Sequence, residues 1–320
     1  MRKDLLKKSI SGLVLAVCVF SLTACGNKSS DTKKSEDKKT EESSGGEAVN
    51  LKDKLDELFT SDEALGLKGK YNTFDEIKDG SLDENLYGTW YRNDGSVSYE
   101  FKEDGSQITK SEYGDNDLKY TCIDIDGYKV ICTETTLTSY DADGNVTETP
   151  AIAYTTYSVD GNVLYIVNVE DNTEELINSS QNAIYAFYKA DDNGDYSASI
   201  SNSEISMDSF EGQWESDEGN IEIKDGTLIA GSDTYELSFD DNKDFVVTKD
   251  GESTTYSVVV SISQNYDTED RSKVTKKYAL DLFYEGSDEK DKPNLIDYMQ
   301  DWNADFGSDY FYYSGNYTLK

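Results

Sequence analysis

The chain has 320 residues, with 30 Lys and Arg against 65 Asp and Glu, a formal charge of −35, no histidine and 36% apolar residues. The absence of histidine excludes Ser-His-Asp and Cys-His catalysis, histidine-ligated metals and a histidine pH switch. The acidic excess argues against a nucleic-acid partner, because that affinity comes from Lys and Arg that neutralise phosphates.

Residues 1–24 have the pattern of a secretory signal peptide. A basic start precedes the apolar run Ile10–Ala24, whose 15 residues are fewer than the roughly 20 that a membrane-spanning helix needs. The last three residues of this run and the residue that follows read Leu-Thr-Ala-Cys, which resembles the bacterial lipobox, where cleavage leaves a lipid-modified cysteine, here Cys25. An ordinary signal peptide with an incidental cysteine is the alternative. We therefore predict a lipoprotein anchored by acyl chains such as palmitate on the extracytoplasmic face of the bacterial cell membrane.

Residues 25–50 are predicted to be the lipidated cysteine and a disordered polar linker. Residues 26–50 contain five lysines, six acids and almost no apolar side chain, so they cannot bury enough surface to fold. Removing the signal peptide leaves 26 basic and 64 acidic side chains, or −38, a charge that favours solubility. Residues 51–80 are predicted to be a short helical lead-in, and a candidate cover for the first domain is its apolar face of Leu51, Leu55, Leu58 and Phe59.

The remaining chain is predicted to be all-β. Asp-Gly occurs eight times between residues 79 and 251, and Asn-Gly at 193–194, and both dipeptides supply the positive φ angles of tight hairpin turns. Between the turns apolar and polar residues alternate, which is typical of half-buried strands. Eight strands are predicted in each half: 86–92, 96–103, 106–113, 118–125, 128–140, 146–159, 162–170 and 183–190, then 211–218, 220–225, 227–232, 233–241, 244–250, 252–266, 271–286 and 309–319.

Eight antiparallel strands in simple order can close into an up-and-down barrel, which removes exposed sheet edges. The sequence therefore predicts two tandem eight-stranded antiparallel barrels, at residues 81–195 and 196–320, and two β-sandwiches are the alternative. The span from Trp90 to Lys189 contains only 100 residues. Such a short span makes a shallow barrel, whose interior can be filled by its own large side chains.

Both halves open with the same pattern, an apolar residue followed by x-Gly-x-Trp, at Leu86–Trp90 and Phe210–Trp214. Two Gly-x-Trp strands that each open eight strands resemble the lipocalin, or calycin, superfamily, and in particular the short lipocalin-like domains of Gram-positive surface lipoproteins. In that family the tryptophan packs across the closed end of the barrel against a basic side chain, usually arginine, near the last strand. The resemblance thus implies barrel-closing roles for Gly88, Trp90, Lys189, Gly212, Trp214 and Lys320.

The same resemblance implies that the barrels bind a small apolar or amphipathic ligand and that the protein is not an enzyme. The alternative is a structural or interaction lipoprotein with filled barrels, which contacts a surface protein or a glycan, for example through the aromatic run Tyr310–Tyr313. The membrane is a predicted partner through the anchor, and neither a cofactor nor a metal is predicted. The calcium-like run Asp141–Asn145 has its glycine in fourth position, unlike an EF-hand loop, and fits a hairpin turn.

Cys122 and Cys132 flank the turn at Asp126-Gly127. If the two cysteines lie directly opposite each other, their Cβ atoms are about 4.5–5.5 Å apart, a spacing that a disulfide can reach after local adjustment. We predict this disulfide, because these two thiols are the only ones left once the signal peptide is removed and Cys25 is lipidated. If the register is shifted by one residue, the side chains point to opposite faces and no bond forms.

Overall fold

The computed structural model describes residues 13–14, 48–111, 114–140, 146–171, 181–216, 219–266, 274–286 and 310–319. Most regular structure in these residues is β, in agreement with the predicted all-β class. The helical elements are short. They are α1 (Leu51–Leu58), α2 (Ser197–Ser201) and 3-10 turns at Phe74–Glu76, Glu84–Leu86 and Met207–Phe210.

The strands of the first half are β1 (Leu13–Val14), β2 (Gly88–Arg92), β3 (Ser98–Phe101), β4 (Ser106–Ser111), β5 (Gly114–Ile125), β6 (Tyr128–Tyr140), β7 (Val146–Asp160), β8 (Val163–Asn168) and β9 (Gln181–Lys189). From β2 to β9, each strand pairs antiparallel with the next, and β9 pairs back to β2. This closed ring, the first barrel, confirms the predicted eight-stranded barrel of the first half. A sandwich is excluded for this half because its two sheets would not be joined by a closing strand pair.

The second strand group consists of β10 (Gly212–Ser216), β11 (Gly219–Lys224), β12 (Thr227–Ala230), β13 (Asp233–Phe239), β14 (Phe245–Lys249), β15 (Glu252–Tyr266), β16 (Val274–Gly286) and β17 (Tyr310–Leu319). These strands lie outside the ring of the first barrel and pair antiparallel in chain order. Two residue pairs, Trp214↔Leu319 and Glu215↔Thr318, also join β17 to β10. The second strand group is continuous with the first barrel because β15 pairs with β9.

The Asp-Gly dipeptides form the predicted tight turns. At Asp126-Gly127 both residues have positive φ, 51° and 89°, and Ile125 pairs with Tyr128, so the loop between β5 and β6 has two residues. A two-residue loop with two positive φ angles matches the right-handed twist of the flanking strands. This turn therefore fixes the register of the β5–β6 hairpin, and the same conformation recurs at Asp225-Gly226 and Asp250-Gly251.

The α1 helix covers the outside of the first barrel. The helix begins after Asn50, whose side chain accepts a hydrogen bond from the backbone N–H of Asp53 at 3.1 Å. Its leucines pack in one buried cluster with outward-facing residues of β8 and β9 and with buried residues of the second strand group. The predicted cover is thereby confirmed, with Leu51, Leu55, Leu58 and Phe59 all buried.

The loop after α1 covers a second patch on the outside of the first barrel. Leu65 and Leu67 are buried and pack against Ile123 of β5 and Val130 and Cys132 of β6. Where this loop packs on them, β5 and β6 therefore bury apolar residues on both faces, one against the loop and the other in the barrel interior. The interior of the barrel contains a separate buried cluster around Trp90.

Candidate functional site

Trp90 and Lys189 meet where the first barrel closes. They are directly opposed in the β2–β9 pair, and the Lys189 Nζ lies 5.0 Å from the centroid of the Trp90 ring. The ring N–H of Trp90, which is fully buried, donates to the Leu86 carbonyl at 2.7 Å. Gly88 has φ +115°, and a Cβ there would lie 3.3 Å from the Lys189 Cε. A larger residue at position 88 would therefore be strained and would crowd the lysine.

The second Gly-x-Trp motif repeats this local geometry. Trp214 is buried, and its ring N–H donates to the carbonyl of Phe210, four residues earlier, at 3.1 Å. Gly212 also has a positive φ, of 155°. Trp214 pairs with Leu319, and the predicted partner Lys320 lies outside the described residues. The two tryptophans thus share a backbone arrangement that the sequence repeat indicated.

Large side chains fill the interior of the first barrel. Tyr99 and Phe187 have ring centroids 4.9 Å apart, and Phe101 and Tyr120 are in edge contact at 5.1 Å. Eight strands enclose an interior just wide enough for side chains, so packed rings at these distances leave little room for a ligand. The buried interior cluster consists of Leu86, Trp90, Tyr99, Phe101, Tyr120, Cys122, Ile131, Tyr157, Leu164, Ile166 and Phe187.

The predicted disulfide between Cys122 and Cys132 is wrong. Both thiols are free and buried, and Cys122 is paired with Ile131 whereas Cys132 is paired with Thr121. Because the turn has two residues, the strands pair in a register that differs by one residue from the register in which the two cysteines would lie opposite each other. Successive residues of a strand point to opposite faces, so Cys122 joins the interior cluster and Cys132 packs under the loop after α1.

Both cysteines behave as small apolar side chains. Burial raises the pKa of the Cys132 thiol to about 12, and burial also raises the pKa of Cys122. The thiolate is the reactive form of cysteine, so a raised pKa lowers reactivity at neutral pH. These two residues therefore serve packing on the two faces of the sheet.

Asp83 fastens the segment that precedes Trp90 to the barrel wall. Its carboxylate accepts hydrogen bonds from the Tyr157 hydroxyl at 2.9 Å and from the Lys129 ammonium at 3.0 Å. A further bond comes from the backbone N–H of Asn85 at 3.0 Å. Burial of the carboxyl opposes ionisation, but these donors outweigh it and hold the pKa of Asp83 at about 2. Asp83 is thus ionised at neutral pH and joins the turn before β2 to β6 and β7.

A cluster of polar side chains joins the first barrel to the second strand group, and we call it the seam cluster. Its members are Arg92, Asn93, Asp94, Asp240, Lys243 and Asp244. The Asn93 side-chain amide donates to the Asp244 carboxyl at 3.0 Å and to the Asn242 carbonyl at 2.9 Å. Arg92, which is buried, forms an ion pair with Asp94. A cleft of about 70 Å³ lies beside the cluster and is lined by Arg92, Asn93 and Asp244 together with apolar residues of β9 and β15.

The seam cluster contains a carboxyl with an unusual pKa. Burial, followed by the neighbouring carboxylates of Asp240 and Asp94, raises the pKa of Asp244 to about 7. Burial also raises the pKa of Asp94, but its charged neighbour Arg92 and its other hydrogen-bond donors together outweigh burial and lower that pKa below its ordinary value. Burial lowers the pKa of the nearby Lys243, whose ammonium donates to the Ile205 carbonyl at 3.1 Å.

Sequence reasoning missed the seam cluster. Asn93 and Asp244 are 151 positions apart, and each belongs to a short polar turn of the kind that occurs throughout the chain. The structure adds one local feature, the φ of 65° at the non-glycine residue Lys243, but a backbone angle cannot be read from the sequence. Such a conformation marks a turn but gives no indication of which other turn it contacts.

The second strand group carries an opening of about 390 Å³ against β10, β11 and β12. The opening is large enough for a small organic molecule and mixes apolar with polar side chains. Its lining consists of Gln213, Trp214, Asn220, Ile221, Glu222, Ile229 and Gly231.

Two candidate features from the sequence lie outside the described parts of the chain. Residues 141–145, which include the calcium-like run, are not described, nor are the side chains of Tyr310–Tyr313. In the ranges that are described, no three His, Cys, Asp or Glu side chains are grouped so that they could hold a metal ion. Within the same ranges, no helix has both the length and the apolar character of a membrane span.

Comparison with models of known protein families, with curated proteins and with solved structures found no match. The lipocalin-like resemblance therefore depends on the two Gly-x-Trp motifs and on the strand order in this chain.

Proposed function

We propose that this chain is a surface lipoprotein, anchored through Cys25 on the extracytoplasmic face of the cell membrane, that binds a protein or glycan partner through its outer surface. The observation that carries this proposal is the filled interior of the first barrel. A barrel whose interior is occupied by its own aromatic rings acts as a rigid scaffold, and binding then depends on exposed strands and loops. The protein is proposed to act by binding rather than by catalysis.

The proposed architecture is a tandem of two lipocalin-like barrels. Three observations support a second barrel formed by β10–β17. The strands pair in chain order, β17 pairs with β10 through two residue pairs, and Trp214 repeats the hydrogen bond of Trp90 to the carbonyl four residues earlier. On these grounds we propose that the second strand group repeats the architecture of the first barrel.

The proposed anchor is tested by growing the bacterium with a clickable palmitate analogue. The full chain is expected to be labelled, and Cys25→Ser is expected to lose the label and to leave the membrane fraction, because Cys25 is the acylated residue. Cys18→Ser is the matched control, since Cys18 lies within the segment that cleavage removes, and we expect its labelling to be unchanged. Label retained in Cys25→Ser would contradict the anchor.

A small amphipathic ligand in the second strand group is the second candidate function. The opening of about 390 Å³ beside Trp214 favours this candidate, because it combines apolar walls with polar groups. Titration with a fluorescent fatty-acid analogue tests it. Binding that saturates with one site and is lost in Ile229→Trp, which fills the opening, would support the candidate. Binding unaffected by this substitution would exclude the opening as the site.

A further inference from the structure

The β6–β7 hairpin extends beyond the first barrel as a two-stranded arm. β5 pairs with β6 only as far as Tyr120↔Thr133, and β8 pairs with β7 only from Thr155 onwards. Beyond these points, β6 and β7 continue to pair with each other up to Tyr140↔Val146. We call residues 134–140 and 146–152 the arm. Each strand of the arm has one edge that faces away from its partner strand.

The two edges of the arm differ in how well they accept another strand. The β7 edge contains Pro150, in register with Thr136 of β6. Proline lacks a backbone N–H and is one of the features that protect sheet edges against pairing with another chain. The β6 edge contains no proline along residues 134–140. The β6 edge therefore keeps every backbone N–H and C=O group that its alternate residues direct outward, away from β7.

The structure contains a strand seated on the β6 edge. β1 pairs antiparallel with β6 through Leu13↔Ser139 and Val14↔Thr138. Among the described strands, β1 is the only one that pairs with β6 beyond Thr133 on this side. An extended apolar segment is thus compatible with the backbone of residues 136–139, which we call the arm edge. Cleavage before Cys25 would remove β1 and leave the arm edge uncovered.

The charge of the protein indicates which kind of strand replaces β1. The arm carries Glu134 and Glu148 and neither Lys nor Arg. The chain without its first 24 residues has 26 basic and 64 acidic side chains, so a second copy would approach against strong like-charge repulsion. A segment with positive charge would instead be attracted. β1 itself follows Lys7 and Lys8 in the sequence.

We propose that the arm edge is a strand-addition site that binds an extended segment of another protein, with apolar side chains and flanking Lys or Arg. This inference rests on the proposed surface-binding function and names its site and the chemistry of its partner. Main-chain hydrogen bonds supply the affinity in such complexes, and alternate side chains supply the specificity.

The test uses the chain without its first 24 residues and a fluorescent peptide of residues 7–17 of this sequence as the probe. Fluorescence anisotropy at low salt is expected to show saturable binding, with at least tenfold weaker binding of a scrambled peptide of the same composition. Peptides N-methylated singly at Leu13 and at Val14 form a matched pair. Adjacent residues of an added strand direct their N–H groups to opposite sides, so one of these peptides should lose at least tenfold in affinity and the other less than threefold.

Hydrogen exchange locates the bound peptide. The bound peptide is expected to protect the backbone amides of alternate residues within 136–139, because only these direct their N–H groups outward to the added strand. Absence of binding, equal binding of the scrambled peptide, equal loss for both N-methylated peptides, or protection elsewhere would each overturn the proposal. Sedimentation that shows a dimer of the protein alone, with the same amides protected, would assign the arm edge to a second copy and would also overturn it. The palmitate labelling at Cys25 is independent of all these results, so failure of this site is distinguishable from failure of the anchor.

Discussion

Replacing Asp244 by Asn is expected to remove a pH dependence of stability that originates in the seam cluster. The carboxyl is buried beside Asp94 and Asp240 and accepts a hydrogen bond from Asn93. An asparagine side chain has nearly the same shape, accepts the same hydrogen bond through its Oδ1 and stays neutral at every pH. The variant therefore isolates the cost of ionising this one group.

The magnitude follows from the two pKa values of Asp244, an ordinary 3.8 when unfolded and about 7 when folded. The folded state holds the proton more tightly, so the stability is fully present below pH 4 and is lost as pH rises through 7. At about 1.4 kcal/mol for each pH unit, the free energy of unfolding falls by about 4 kcal/mol over this range. Asp83 has its pKa at about 2, so its opposite contribution is complete by about pH 5.

Urea unfolding monitored by circular dichroism between pH 5 and 7.5 measures the effect. The wild type is expected to lose about 2–3 kcal/mol of unfolding free energy over this range, and Asp244→Asn to lose much less. The matched control is Asp241→Asn, an exposed residue of the same turn with the same change in charge, which should keep the wild-type slope. Parallel pH curves for wild type and Asp244→Asn would refute the assignment of the pH dependence to Asp244.

Two further predictions concern the first barrel. Phe187→Ala should lower the free energy of unfolding by about 3–5 kcal/mol, measured with urea, because it leaves a cavity among packed rings, whereas exposed Val146→Ala should change it by less than about 0.5 kcal/mol. A loss below about 1 kcal/mol for Phe187→Ala would show that the interior is not close-packed. Alkylation in denaturant without reductant should label both Cys122 and Cys132, because they lie on opposite faces of the sheet and are not bonded to each other. If neither cysteine were labelled, the two would be joined by a disulfide after all.

The positions of the strands could be predicted because their signals are local. Asp-Gly turns and the alternation of apolar and polar residues place β2–β9 and β10–β17 close to the predicted ranges. Closure of the first barrel also followed, since eight strands in simple order leave two edges that can pair. The role of α1 was visible for the same reason, because its leucines recur at the helical period.

The register of β5 against β6 could not be predicted in the same way. A register shift of one residue normally exposes apolar side chains, and this cost identifies the native pairing. Here the loop after α1 covers the outer face, so Ile123 and Cys132 are buried on the outside while Cys122 and Ile131 are buried inside. Both registers therefore satisfy the apolar pattern, and only the two-residue turn distinguishes them. The seam cluster was missed because its members come from turns far apart in the chain.

Native mass spectrometry tests most directly whether the first barrel is filled and holds no ligand. The sample is the chain without its first 24 residues, incubated with lipids and metabolites extracted from its host. We expect the mass of the polypeptide alone, or a bound mass that disappears in Ile229→Trp, where the opening beside Trp214 is filled. A discrete bound mass that is released on denaturation and persists in Ile229→Trp, with crystals of that complex showing the ligand among Tyr99, Phe187 and their neighbours, would contradict it.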